Sequence, residues 1–184
     1  GMTLAEMALW YKNYKQLDID LQLAPMKEYL PNSLPGFGWP HYQIPWINPS
    51  PNASSLNMAR CYPGTVLFEG TTLSEGRGTT TPLEIIGAPD IDFNIILYKM
   101  NQLAPEWLQG VFLRHCFFEP TFHKHKGMLC SGIQFHTDFN NYLPKAFKPY
   151  RIAALILKAI RLEYPDYKIW HSLPYEYETE RLAI

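Results

Sequence analysis

The sequence predicts an α+β (mixed α/β) fold: a small mixed sheet flanked by helices, with a long, ordered, Pro-rich loop. Three observations predict it. Residues 18–24 (DIDLQLA) alternate strictly, placing Ile19, Leu21 and Leu23 on one face of a strand. Residues 150–164 (YRIAALILKAIRLEY) carry apolar residues at helical spacing as far as Pro165. Four strand-like segments interleave with helical ones, and no internal repeat is visible. At 184 residues the chain is long enough for one sizeable core, so residues 1–184 read as a single domain.

In chain order, residues 3–15 predict a helix. Thr3 is placed as N-cap, and Glu6 three residues on completes a capping box. After the 18–24 strand, residues 31–53 hold Pro31, Pro35, Pro40, Pro45, Pro49 and Pro51, which exclude a helix or a central strand. Trp39, His41, Tyr42, Trp46 and Asn52 make that segment too aromatic for a flexible linker. A short helix is expected at 54–60, started by Ser54 or Ser55, and the apolar run 64–69 (GTVLFE) reads as a buried strand. Thr81-Pro82-Leu83-Glu84 has the form of a helix start: an N-cap, a proline at the first helical position and a box-closing glutamate. A further helix is expected at 92–103, with strands at 111–118 and 131–137.

Nearly half the residues are apolar and under a fifth are charged, as in a folded chain rather than a disordered one. The formal net charge of -1, with no basic stripe, excludes nucleic acid as an expected partner. Neither a signal-peptide pattern nor an apolar run of membrane-spanning length is seen. Cys61, Cys116 and Cys130 form no CxxC pair and read as buried free thiols. Trp46, Tyr62, Tyr142, Tyr150 and Trp170 lie in polar surroundings, where aromatic rings either stack on sugars or pack the core.

The most polar stretch is LFEGTTLSEGRGTTTPLEIIG at 67–87. Read as a loop between the end of a buried strand and the start of a helix, residues 70–80 sit where open α/β sheets bind ligands. Gly70, Gly76 and Gly78 permit close backbone approach, Arg77 adds a forked donor for carboxylate or phosphate, and Ser74, Thr79 and Thr80 add hydroxyls. Together they describe an anion or polyol site. A self-satisfied turn, with Arg77 paired to Glu69 or Glu75, is the structural alternative. Neither phosphate-loop glycine spacing is present. Glu69 and Glu75 are weak candidates for the paired carboxylates of glycoside hydrolysis. A glutamate beside Arg77 stays ionised, which suits a base or an orienting group better than an acid.

HKHKG at 123–127 places histidines two apart but brings no carboxylate or cysteine at metal-ligand spacing, so no metal and no cofactor are expected. His115 and Cys116 are neighbours on a strand, point to opposite faces and form no dyad.

Four stretches, GMTLAEMA, PWINPSPN, YPGTVLFEGTTLSEGRGTTTPLEIIGAP and FEPTFHKHKGMLCSGIQFH, together resemble the exo-acting β-N-acetylmuramidase (NamZ-like) family of bacterial peptidoglycan turnover, formerly a domain of unknown function. The resemblance implies the C-terminal domain of a two-domain protein, whose Rossmann-like N-terminal domain, with the family's catalytic glutamate, is absent here. Gly1-Met2-Thr3 matches an internal stretch of the family, and the family continues beyond residue 184. The motif positions carried over are Asn52, Glu69, Thr71, Ser74, Glu75, Arg77, Thr79 and Thr80, with Lys124, Gln134 and His136 from the later motif. Thr72 stands where the family usually has Asn, HKHKG is more basic than the common pattern, and Arg60-Cys61 replaces an apolar pair.

The resemblance implies a muramyl sugar or peptidoglycan fragment as ligand, with Arg77 on the lactyl carboxylate and Glu75 accepting sugar hydroxyls or positioning Arg77. It favours the periplasm or cell envelope. Three functions stay open: the substrate-binding half of an exo-glycosidase, a non-catalytic carbohydrate-binding module, and a domain-docking module. A surface bared of its partner domain further predicts self-association.

Overall fold

A computed structural model describes residues 2–26, 45–138, 140 and 142–171. Most of the Pro-rich segment, with Trp39, His41 and Tyr42, lies outside the described residues. The chain divides into two compact units, residues 1–39 and 40–184.

The first unit holds α1 (Leu4–Lys15). Its start is the capping box read from sequence: Thr3 N–H donates to Glu6 Oε2 at 2.6 Å, and Glu6 N–H donates to Thr3 Oγ1 at 3.2 Å. Gln16 ends it in the left-handed conformation at φ 50°. Residues 18–24 form no ladder. Ile19 and Leu23 are 50% and 38% exposed, so among the described residues the alternation there has neither a partner strand nor a core to face.

The second unit contains α2 (Leu56–Thr65), β1 (Ile85–Ala88), α3 (Phe93–Leu103), β2 (Phe112–Phe118), β3 (Cys130–His136) and α4 (Pro149–Glu163). The α+β class expected from the sequence is present. The sheet order is β1-β3-β2, and both pairings are antiparallel, Ile86 facing Ile133 and Cys116 facing Gly132. Ile152, Leu155, Ile156, Ala159 and Ile160 form the buried stripe of α4. They share one core with Phe68, Phe93, Ile96, Met100, Ile133 and Phe135. Burying such stripes, rather than intrinsic propensity, supplies most helical stability in a folded domain.

Two further sequence expectations fail, and both failures bear on the site. Residues 64–69 are not a strand. The chain stays helical through Pro63 to the end of α2 and tightens into a 3₁₀ helix, Val66–Gly70. That path buries Phe68 completely, and the packing overrides the β-branched character of Thr65 and Val66.

Thr81-Pro82-Leu83-Glu84 starts no helix. It is a turn with Leu83 at φ 62°, leading into β1. Leu83 is held there by a backbone bond to Glu75 O at 2.7 Å and by burial beside Ala53 and Met58. Glu84, read as closing a box on Thr81, turns instead to the N-terminus of α2. There its carboxylate accepts from Ser55 Oγ and from Asn57 Nδ2 at 2.5 Å. Asn57 Oδ1 in turn accepts from Thr137 N–H at 2.6 Å and Thr137 Oγ1 at 2.5 Å, tying α2 to the end of β3. A carboxylate over a helix N-terminus is favoured by the helix dipole as well as by these bonds.

The first turn of α4 lies directly on α2. A Cβ at Gly64 would fall 2.2 Å from Pro149 O, so only glycine permits this approach. Gly64→Ala is expected to lower stability by at least about 2 kcal/mol through overpacking, despite alanine's better helix propensity. Urea unfolding followed by circular dichroism measures it.

Cys61, Cys116 and Cys130 are free and buried. Burial raises all three thiols, Cys130 to about 11. Since the thiolate is the reactive form, native protein at neutral pH is expected to react slowly with a thiol reagent and to release three equivalents only on unfolding. A time course with Ellman's reagent, with and without urea, reads this out.

Candidate functional site

The polar loop 70–80 runs from the 3₁₀ helix Val66–Gly70 to the turn before β1. No helix begins at Pro82, so the helix N-terminus expected there is not present, and the loop's positive charge comes from side chains. Glu75 is the centre. Its side chain has no exposed surface, yet it faces three nitrogen groups: Arg77 Nε at 3.1 Å, Lys124 Nζ at 2.6 Å and His123 Nδ1 at 3.7 Å. Neither Glu75 oxygen meets a donor at hydrogen-bond angles, so charge is what compensates the carboxylate. Arg77 Nη2 also pairs with Glu69 Oε1. Two carboxylates and two firm cations therefore alternate in the order Glu69, Arg77, Glu75, Lys124.

Lys124 reaches this position because its loop is clamped to loop 70–80. Its ammonium donates to Phe68 O at 2.8 Å and Thr71 O at 3.0 Å. These are carbonyls at the end of the 3₁₀ helix. His125 Nε2 donates to Thr72 O at 2.8 Å. Thr121 donates twice to Gly78 O, from N–H at 3.0 Å and from Oγ1 at 2.8 Å. Gly78 has φ 84°, and a Cβ there would lie 2.7 Å from Phe122 N. The HKHKG stretch, a metal suspect by its letters, is thus a clamp. Among the described residues no group of three or more metal-ligating side chains occurs. Burial lowers the Lys124 ammonium from its usual range, and Glu75 opposes that shift. Burial also lowers His171, helped by the neighbouring Lys124 and His123 and opposed by Glu75.

The loop borders two concavities of the second unit. The first, about 290 Å³, is lined by Arg77 and Asn52 together with the rings of Trp46 and Tyr62 and the apolar side chains of Met58 and Leu83. Trp46 is fixed by its indole N–H, which donates to Ala53 O at 2.8 Å. Arg77, whose guanidinium is held by its own chain and whose side chain is 25% exposed, is among the residues that border this opening. The second concavity is a wider groove of about 690 Å³, to which Thr79 and Thr80 contribute.

The other sequence-singled residues separate by role. Thr71 is buried, and its hydroxyl donates to Phe68 O at 2.8 Å. Ser74 is buried in a bridge to Gly87. Thr79 Oγ1 donates to Gly76 O at 2.6 Å, shaping the turn, while Thr80 is exposed. Gln134 borders the groove and accepts from Arg114 Nη2. His136 lines neither concavity. It lies at the end of β3, with Arg114 Nε at 3.4 Å and Asp138 Oδ1 at 3.7 Å. Sequence reasoning missed Glu119 and Phe122 of the groove. Their only signal was the FEPTF run, in which neither residue stood out by type or spacing.

Comparison with known proteins agrees with this architecture. The model of the C-terminal domain of exo-β-N-acetylmuramidase NamZ matches residues 60–183, and that of its N-terminal domain matches residues 1–57. The chain belongs to the exo-β-N-acetylmuramidase NamZ family. It is 36% identical over 167 residues to the peptidoglycan β-N-acetylmuramidase NamZ of Bacillus subtilis strain 168. That match takes in 90% of this chain and 37% of the relative, so the chain spans well under half of the relative's length. Two crystal structures of DUF1343 family proteins from Bacteroides fragilis share the fold. One has a TM-score of 0.70 at 22% identity, over 90% of this chain and 41% of that one. The other has 0.56 at 24% identity, over 92% and 42%.

Removing Lys124 leaves the Glu75 carboxylate buried beside a weaker complement of charge. Lys124→Met is expected to cost about 3–5 kcal/mol, and adding Glu75→Gln to recover most of that loss. Urea midpoints of the single and double variants give the coupling.

Proposed function

We propose that this chain forms the substrate-binding half of an exo-acting β-N-acetylmuramidase, with loop 70–80 as one wall of the pocket for a muramyl sugar at the non-reducing end of a peptidoglycan fragment. One observation carries the reading: Arg77, held by Glu69 and Glu75, borders a cavity that also holds Trp46, Tyr62 and Asn52. A muramyl unit presents an apolar sugar face, an N-acetyl group, hydroxyls and a lactyl carboxylate. The rings match the sugar face, the amide matches the hydroxyls, and the guanidinium matches the carboxylate. Family membership supports the same substrate class.

In this reading Glu75 is a positioning residue. It has no exposed surface, and its charge fixes Arg77 and Lys124. Glu69 is engaged by Arg77, which suits orientation better than proton donation. The general acid for glycoside cleavage is then supplied by a Rossmann-like N-terminal half, and this chain alone binds without hydrolysing. The alternative, a non-catalytic carbohydrate-binding or docking module, draws on the same engagement of both glutamates.

Titration with N-acetylmuramic acid tests the pocket. Arg77→Ala is expected to weaken binding about 10- to 100-fold, as for loss of a charge-assisted bond. It should leave N-acetylglucosamine, which lacks the carboxylate, nearly unchanged. Equal affinity of wild type and variant for the acidic sugar would refute the assignment. Release of 4-nitrophenol from a 4-nitrophenyl muramyl sugar, only when an N-terminal half is added, separates the enzyme reading from the alternative.

A further inference from the structure

The sheet order β1-β3-β2 makes β2 an edge strand, and among the described residues its one ladder is with β3. The register settles which of its backbone groups face the open side. Phe135 N–H donates to Glu84 O at 2.8 Å, and Gly87 exchanges bonds with Ser74 on the far side of β1, so residues 131, 133 and 135 point toward β1. The alternation of an antiparallel ladder turns residues 130, 132, 134 and 136 toward β2, and their partners Phe118, Cys116, Arg114 and Phe112 toward β3. The N–H and C=O groups of Leu113, His115 and Phe117 therefore point outward. Among the described residues no backbone hydrogen bond engages them.

Edge strands are commonly shielded by a lysine, a proline, a bulge or short length. β2 has none of these. It is seven residues long, FLRHCFF, in unbroken register with β3. Phe112 and Phe117, toward its two ends, keep 47% and 63% of their surface exposed.

The strand is also complementary to itself. Laid antiparallel to its own copy about a two-fold axis at residue 115, it sets Leu113 against Phe117 on one face and Phe112 against Phe118 on the other. Arg114, the one formally charged residue of the strand, meets Cys116, so no like charges oppose. The Arg114 side chain is drawn over the sheet, where it donates to Gln134 Oε1. His115 meets its own copy, but its Nε2 lies 3.0 Å from Ser131 Oγ, toward β3 rather than the open edge. In this register the outward residues pair with one another, 113 with 117 and 115 with 115, as hydrogen bonding requires. An axis at 114 would set Arg114 against its own copy, and one at 116 would set Leu113 against Glu119, past the end of the strand.

We infer that β2 pairs with β2 of a second copy about the axis at residue 115, joining two three-stranded sheets into one continuous antiparallel sheet. The inference is independent of the sugar-binding reading, since neither Arg77 nor loop 70–80 belongs to β2.

Analytical ultracentrifugation tests the assembly, and amide hydrogen exchange locates it. A concentration-dependent dimer is expected. The amides of residues 113, 115 and 117 should exchange slowly in the dimer and quickly on dilution, while those of 114 and 116, bonded to β3, stay slow throughout. In a dimer mixed from labelled and unlabelled copies, an NOE between Arg114 Hα and Cys116 Hα of different copies fixes the register, because a non-hydrogen-bonded pair brings the α-carbons to about 4.5 Å. Phe117→Lys, at an exposed position, is expected to raise the dimer dissociation constant about 3- to 30-fold, its cross-strand pair occurring twice about the axis. Trp10→Lys, on the exposed surface of α1, should leave that constant within about twofold. A monomer at the highest soluble concentration would overturn the inference. So would a dimer in which residues 113, 115 and 117 exchange at one rate whatever the concentration, or one weakened by Trp10→Lys and not by Phe117→Lys.

Discussion

The site rests on one constraint: the Glu75 carboxylate is wholly buried and must be neutralised in place. An ionised carboxylate without partners in such a position costs several kcal/mol, so the two cations beside it are conditions of the fold. Arg77 comes from the same loop and Lys124 from the loop before β3, so meeting that condition draws the two segments together. The clamp is then completed by neutral bonds, Thr121 to Gly78 and His125 to Thr72. The proposed binding surface is thereby shaped by an interaction that itself lies beneath it.

A second buried carboxylate, Glu84, does comparable work a few residues on. It faces amide and hydroxyl donors from the start of α2 rather than cations. Between Glu75 and Glu84 the chain must turn sharply, and Leu83 adopts positive φ to let both carboxylates point inward. The two acidic residues thus fix both ends of the segment 75–84, which contributes lining to both concavities. Much of the polarity of this stretch is therefore spent on its own backbone and on two neighbouring segments.

The sequence made the regular, strongly patterned parts legible. The capping box of α1, the stripe of α4, the helix at 92–103 and the strands β2 and β3 all follow from local periodicity and cap chemistry. Misreadings arose where tertiary demands outweighed local ones. The run 64–69 is β-branched, but burying Phe68 required a helical path. Thr81 to Glu84 has every letter of a helix start, but its glutamate was claimed by another helix. β1 was invisible because four residues buried on both faces carry no alternation. For the site, composition identified the polar loop and offered Glu69 and Glu75 as partners for Arg77. Local spacing gave no sign that Lys124, 49 positions beyond Glu75, would complete the cluster.

The double pairing of Arg77 has an entropic consequence. A free arginine loses close to 2 kcal/mol of rotamer freedom when a ligand immobilises it. Here that ordering is completed during folding, with Glu69 and Glu75 in place of solvent. In the proposed role, an incoming carboxylate would meet a preorganised fork, its attraction moderated because the guanidinium's charge is already shared. Such a surface discriminates by shape and direction more than by raw electrostatic pull, and association need not wait for the side chain to find its rotamer.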